Sequence, residues 1–234
     1  MKMRNLLLLS VAGLGVAANA QLTLSYNDMD QVRSEGSLVS TANFGVNQEF
    51  EAGFAAFSGQ VADDVTFSGS SINRVAVAME FTDPASISGF MSRATGWIVR
   101  VGSAAQMAAG TASATTVGLG TTTMGGGNVG GVSNSRTFEI TGLNIAVGGS
   151  ALVSVVPVMD FAVGGQTFIL SNTAPLKGGG NNSQGFNPGN GFGLGTQIPV
   201  LTNAAISVNT VPEPATLVAL GAGLAAFARR RRSK

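Results

Sequence analysis

The sequence predicts an all-β fold of short antiparallel strands arranged as two packed sheets, a β-sandwich or jelly-roll-like body. Two observations in the central region predict it. Several segments alternate apolar and polar residues with period two, and no comparable segment carries a convincing apolar stripe of period 3.6. Glycine- and asparagine-rich connections separate these segments at modest spacing, the punctuation of a multi-stranded antiparallel fold. A β-helix or other glycine-rich solenoid would need a fixed repeat, and none is visible.

Taken in order, Leu22 to Tyr26 opens the set. Val61 to Phe67 places Val61, Val65 and Phe67 on one face. Ser68-Gly69-Ser70-Ser71 reads as a turn, so this segment and the next are expected to form a hairpin or adjacent antiparallel strands. Ile72 to Phe81 is the clearest strand, with Val75, Val77, Met79 and Phe81 opposite Arg74, Ala76, Ala78 and Glu80. Asp83-Pro84 ends it. Trp97 to Val101 turns Trp97, Val99 and Val101 to one side, and Arg136 to Ile140 sets Phe138 and Ile140 against Thr137, Glu139 and Thr141. Ala151 to Val156 is continuously apolar, as expected of a strand covered on both faces, with Pro157 limiting it. Gln166 to Leu170 and Ala205 to Val211 complete the sheets. Between them, Ala104 to Ala114 admits a short helix but not a long one, because Gly110 and several β-branched residues oppose it.

The two ends of the chain differ from this body. Lys2 and Arg4 precede an apolar stretch that runs to Ala18, and Ala18-Asn19-Ala20 offers small residues where a signal peptidase reads. Residues 1–20 are therefore expected to be a cleavable signal helix, with the mature chain starting at Gln21. At the other end Pro212-Glu213-Pro214 leads into Ala215 to Ala228, free of charge, and then into Arg229, Arg230, Arg231 and Arg232. A greasy segment closed by arginines describes a chain held in a membrane with its basic end in the cytoplasm. The 14 residues span about 21 Å as a helix against roughly 30 Å of hydrocarbon. Snorkelling arginine stems and Pro214 at the helix start were the features expected to make up the difference. The expected organisation is thus a signal peptide over 1–20, a β-sandwich body over 21–210 and a sorting segment with a transmembrane helix over 211–234.

Charge must be read without these ends. The whole chain is formally +1. Residues 21–211 hold six Lys and Arg against eleven acids, a net −5, so the basicity belongs to the processing segments. An acidic, sparsely charged body lacks the basic patch that neutralises phosphates, which argues against nucleic acid as a partner. There is no cysteine and no histidine. The fold must then stand on its apolar core, and Cys or His nucleophiles, the Ser-His-Asp arrangement and the usual zinc sites are excluded.

The candidate site residues are few. Asp63 and Asp64 are adjacent, so in a strand their carboxylates point to opposite faces and do not act as a pair. Asp63 either caps a turn or, with Asp64, Glu80 and Asp83, supplies carboxylate oxygens to Ca²⁺, although no spaced acidic series exists. Gly118 to Val132 and Lys177 to Gly195 read as mobile surface loops. The alternative is a ligand-facing rim, in which Phe186 and Phe192 offer apolar faces between Asn187 and Asn190. Trp97 either stacks on a sugar ring or fills the core. No pair of acids sits in a recognisable catalytic context.

The tripartite C-terminus resembles the PEP-CTERM sorting signal, with Pro212, Glu213 and Pro214 on the family's Pro-Glu-Pro and the apolar run and arginines on its other two parts. The resemblance implies export, processing by an integral-membrane exosortase near Pro212 to Pro214, and signal peptidase as a second partner. It also implies an inner-membrane-anchored intermediate, then a cell-surface, outer-envelope or matrix location, and an association with exopolysaccharide or biofilm. Ala62-Asp63-Asp64-Val65 is similar to the Ala-Asp-Asp-Phe motif that opens a strand in many bodies of this family. The implied function is a structural or adhesive surface protein without catalytic activity. The opposing hypothesis is an exported polysaccharide hydrolase working through paired carboxylates.

Overall fold

The computed structural model describes residues 23–27, 32–33, 55–81, 84–159, 167–172, 183–191, 193, 195–199 and 203–212. The strands in chain order are β1 (Thr23–Asn27), β2 (Val32–Arg33), β3 (Gln60–Thr66), β4 (Ser71–Phe81), β5 (Ala94–Gly102), β6 (Ser113–Gly118), β7 (Thr122–Met124) and β8 (Ser135–Ile140). They continue with β9 (Ile145–Ala146), β10 (Ser150–Met159), β11 (Thr167–Ile169), β12 (Ser171–Asn172), β13 (Gln184–Phe186), β14 (Gln197–Pro199), β15 (Asn203–Ala204) and β16 (Ile206–Val211). Among the described residues two α-helices interrupt them, α1 (Pro84–Arg93) and α2 (Ala104–Ala108).

One sheet runs β1-β16-β4-β8-β7, with β9 and β11 also paired to β4, and a second runs β14-β13-β3-β10-β5-β6. A small third sheet joins β15, β12 and β2. Every pairing among them is antiparallel. The two large sheets share one core. Val75, Val77, Met79 and Phe81 of β4 and Phe138 and Ile140 of β8 meet Val61 and Val65 of β3, Trp97 and Val99 of β5 and Val153 and Val155 of β10. All of these side chains are buried, as the period-two pattern requires of the face that each strand turns inward.

The expected β3–β4 hairpin does not form. β3 pairs with β10 and β13, whereas β4 pairs with β16, β8, β9 and β11 in the other sheet. The Ser68-Gly69-Ser70 corner carries the chain from one sheet to the other. It is fastened at both sides, because Phe67 N–H donates to Gly149 O at 2.9 Å and Ser70 N–H donates to Val211 O at 3.0 Å. A Cβ on Gly69 would overlap the Val211 carbonyl, so the close approach requires glycine. Pro157 does not limit β10 either. The ladder from β10 to β3 ends at Ser154, so the missing N–H at position 157 leaves that edge undisturbed while β5 continues alongside.

Helix α1 was not legible in the sequence. Pro84 can open it at no cost in hydrogen bonding, and Ile87 and Phe90, three apart, turn into the core while Ser88 and Met91 face out. Two inward-facing apolar positions in ten residues are too few to register as a stripe. Helix α2 is short, as expected, and is started by a capping box in which Ser103 accepts from Gln106 N–H and Gln106 Oε1 accepts from Ser103 N–H.

The expected fold class included a transmembrane helix, and this is corrected. No helix among the described residues is long and apolar enough to cross a membrane, and the longest, α1, has ten residues, about 15 Å of rise. Fourteen residues, the length of the apolar run at 215–228, would rise about 21 Å as a helix against the roughly 30 Å needed, which is the physical argument against the spanning assignment. Membrane partnership through such a helix and the inner-membrane-anchored intermediate fall with it. The signal helix over 1–20 and the segment after Pro212 lie outside the described residues.

The core places Phe90 against Phe138 with ring centroids 4.4 Å apart, against Trp97 at 5.4 Å and against Phe81 at 5.7 Å. Phe90→Ala is expected to lower unfolding free energy by about 3–5 kcal/mol, whereas Met91→Ala, one residue on and exposed, should stay within about 0.5 kcal/mol. Urea unfolding of both variants checks this, and equal losses would remove α1 from the core.

Candidate functional site

At one end of the core an open cleft of about 380 Å³ lies between α1 and the β7–β8 pair, lined by Ile87, Ser88, Met124, Asn128, Ser133, Asn134 and Arg136. Its shape follows from the connection between β7 and β8. Gly130 and Gly131 take φ of 58° and 80°, and Asn134 takes 56°, the left-handed region that asparagine tolerates better than most side chains. Ser135 is fully buried beneath this loop. Its Oγ accepts from Val129 N–H at 2.8 Å and donates to Val132 O at 2.7 Å, and Asn134 O accepts from Phe81 N–H at 2.9 Å. The loop is thereby tied to the strands on which it sits.

Arg136 gives the cleft its charge. It shares strand parity with Phe138 and Ile140, so it leaves β8 on the face that carries the core, at the point where the core opens. Its Nη1 donates to Asn128 Oδ1 at 2.8 Å and to Ser135 O at 2.6 Å. Among the described residues it has no carboxylate partner. Arg74 is the contrast. On the outer face of β4 its Nη2 meets Glu139 Oε2 at 2.6 Å, and its Nη1 donates to Asn209 Oδ1 at 2.7 Å. The hydrogen bond from Arg74 holds the Glu139 carboxyl below its ordinary value against a smaller opposing effect of burial, and the same bond raises Arg74.

The residues singled out in the sequence do not converge. Trp97 is fully buried, donates from Nε1 to Thr122 Oγ1 at 2.9 Å and offers no face to a ligand. Phe186 is buried with Ala62, Met107, Ala112 and Leu152 beneath α2, on the outer side of the second sheet. Asn187 is buried as well, and its Nδ2 donates to Ala56 O and Ser58 O, both at 2.8 Å, as a clamp on the chain entering β3. Asn190 is exposed, with φ of 49° and Oδ1 accepting from Gly195 N–H. These three do not form a common rim. Phe192 and Asp83 lie outside the described residues, as do Ala18, Ala20, Glu213, Pro214 and Arg229 to Arg232. The expectation of a mobile loop over Gly118 to Val132 is also revised, since β7 within it pairs with β8.

Asp63 lies within β3 and caps no turn; it is a long-range polar link. Fully buried, it accepts from Ser183 Oγ at 2.7 Å and Ala204 N–H at 3.0 Å through Oδ2, and from Asp64 N–H at 2.9 Å through Oδ1. It ties β3 to the chain entering β13 and to β15. Asp64 is half-buried on the same strand, while Glu80 lies in the other sheet opposite Ser135. Among the described residues no three acids stand close enough to hold a metal ion.

Pro212 follows the last residue of β16. Thr210 and Val211 are still in register with Ile72 and Ser71, so the sorting segment leaves directly from an ordered strand. Residues 210–232 match the PEP-CTERM protein-sorting motif, and this motif supports an exosortase substrate with an exported, cell-surface fate. No curated protein and no solved structure matches the chain.

Two outcomes are expected here. Asp63→Ala should cost roughly 2–3 kcal/mol by leaving buried donors unpaired, with Asp63→Asn recovering part of it; a midpoint in urea unchanged from the parent would remove the anchoring role. The Arg74–Glu139 pair should contribute above the ordinary carboxylate range and be lost as pH falls through the depressed value of Glu139. Glu139→Gln should therefore flatten a small acid-side loss of thermal stability, of at most about 1 kcal/mol because both groups are partly solvated. An unchanged acid limb would show that the pair contributes nothing.

Proposed function

We propose that the exported body is a structural or adhesive component of an extracellular exopolysaccharide or biofilm matrix, acting through weak contacts with glycan rather than through catalysis. The observation that carries this reading is the sorting motif attached to a polar-faced, acidic sandwich. The placement of the acids supports the non-catalytic part. Asp63 is consumed by three hydrogen bonds, and Glu139 is engaged by Arg74. A hydrolase would need two carboxyls facing one another across a cleft, about 5–9 Å apart. The cleft beside α1 is lined by an arginine, amides and hydroxyls instead. Repetition of the protein along a cell surface would turn weak individual contacts into firm attachment.

The test is a glycan array paired with a reducing-sugar release assay on the exported protein. Binding without turnover is expected. Turnover abolished by replacing one particular acid would establish the opposing hydrolase, and silence in both assays would leave a matrix component that contacts no glycan.

A further inference from the structure

We propose that the cleft between α1 and the β7–β8 pair binds a single carboxylate-bearing sugar unit, a hexuronate, with Arg136 as the group that receives the carboxylate. This deepens the glycan-contact reading above and rests on it. Arg136 is the starting point. A cation on the core face of a strand is costly unless a counter-charge or a full set of acceptors meets it. Arg136 has two acceptors, Asn128 Oδ1 and Ser135 O, and both use Nη1. Those bonds orient the guanidinium, while Nη2 and Nε make no hydrogen bond among the described residues. A planar fork with an edge to spare matches a carboxylate in two-point geometry.

The rest of the cleft selects what carries that carboxylate. Its volume of about 380 Å³ is far more than a bare inorganic anion needs and falls in the range of small-ligand sites. Ile87 and Met124 give it an apolar wall suited to the C–H face of a pyranose ring. Asn128 keeps its Nδ2 for an acceptor while its Oδ1 is held by Arg136, and Asn134 and Ser133 add hydroxyl-directed groups on the opposite lip. One charge for the carboxylate, amides for the hydroxyls and an aliphatic wall for the ring make a consistent set. The net −5 of residues 21–211 gives this cation a second use, since an acidic glycan would otherwise be repelled from the body.

The experiment titrates the exported protein with D-glucuronate, D-glucose and acetate, followed by amide chemical shifts in ¹⁵N-labelled protein. Glucuronate is expected to move the resonances of Ser133, Asn134 and Arg136 saturably, with glucose and acetate each at least about tenfold weaker. Arg136→Met should weaken glucuronate roughly 10- to 100-fold, the loss of one charge-assisted hydrogen-bonded contact. Because that change also frees Asn128, Ser88→Asp, at an exposed lining residue, is run beside it. It sets an acid against the ligand and should abolish binding while the fingerprint of strands away from the cleft stays unchanged. Equal binding of acetate would reduce the cleft to a small-anion site and overturn the proposal, as would equal binding of glucose or shifts that ignore Arg136→Met. Array binding to neutral glycans with no glucuronate shift would sink the cleft alone. Glucuronate shifts with a silent array would sink the contact with polymeric glycan proposed above and leave the cleft standing.

Discussion

In a chain without cysteine the two sheets are held together only by what they bury between them, and the densest part of that burial is the contact of Phe81, Phe90, Trp97 and Phe138. Phe81 comes from β4 and Phe138 from β8 in one sheet, Trp97 from β5 in the other, and Phe90 from α1. Tilted and edge-on rings of this kind add to simple area burial. The arrangement also explains why Trp97 is no ligand platform, since its ring is enclosed and its one polar atom is satisfied by Thr122. Helix α1 exists to deliver Phe90, and its presence walls one side of the cleft.

Several buried polar groups serve the architecture. Asp63, Ser183, Ser135 and Asn187 pin chain segments that do not belong to the long strands, and each does so through hydrogen bonds that replace lost water. Arg136 differs, because it is held by two acceptors and faces an opening.

Export and architecture meet at β16. The motif's first residues, Thr210 and Val211, are in the sheet, with Thr210 buried, and Pro212 cannot donate to a continuing ladder. Cleavage beyond Pro212 would leave β16 whole, including its contacts to β1 and β4. The corner at Gly69 depends on the same strand through the Val211 carbonyl, so the end of the body and its first crossover stabilise one another.

The sequence by itself determined the strand-rich character of the body, because alternation along β4 and β8 records which residues face inward whatever those strands pair with. It determined the sorting signal, whose three parts are contiguous and chemically distinct. Parity alone even put Arg136 on the side of Phe138 and Ile140, a signal that was present and not read as a site. Tertiary structure decided the rest. Whether neighbouring strands form a hairpin or part to opposite sheets is a matter of long-range partners, β10 and β13 for one and β16 and β8 for the other, which local alternation does not encode. The fates of Asp63, Phe186 and Asn187 were decided in the same way, by Ser183, Ala204, Met107 and Ala56 far along the chain. A buried polar or aromatic residue becomes structural when such partners arrive, and only folding brings them.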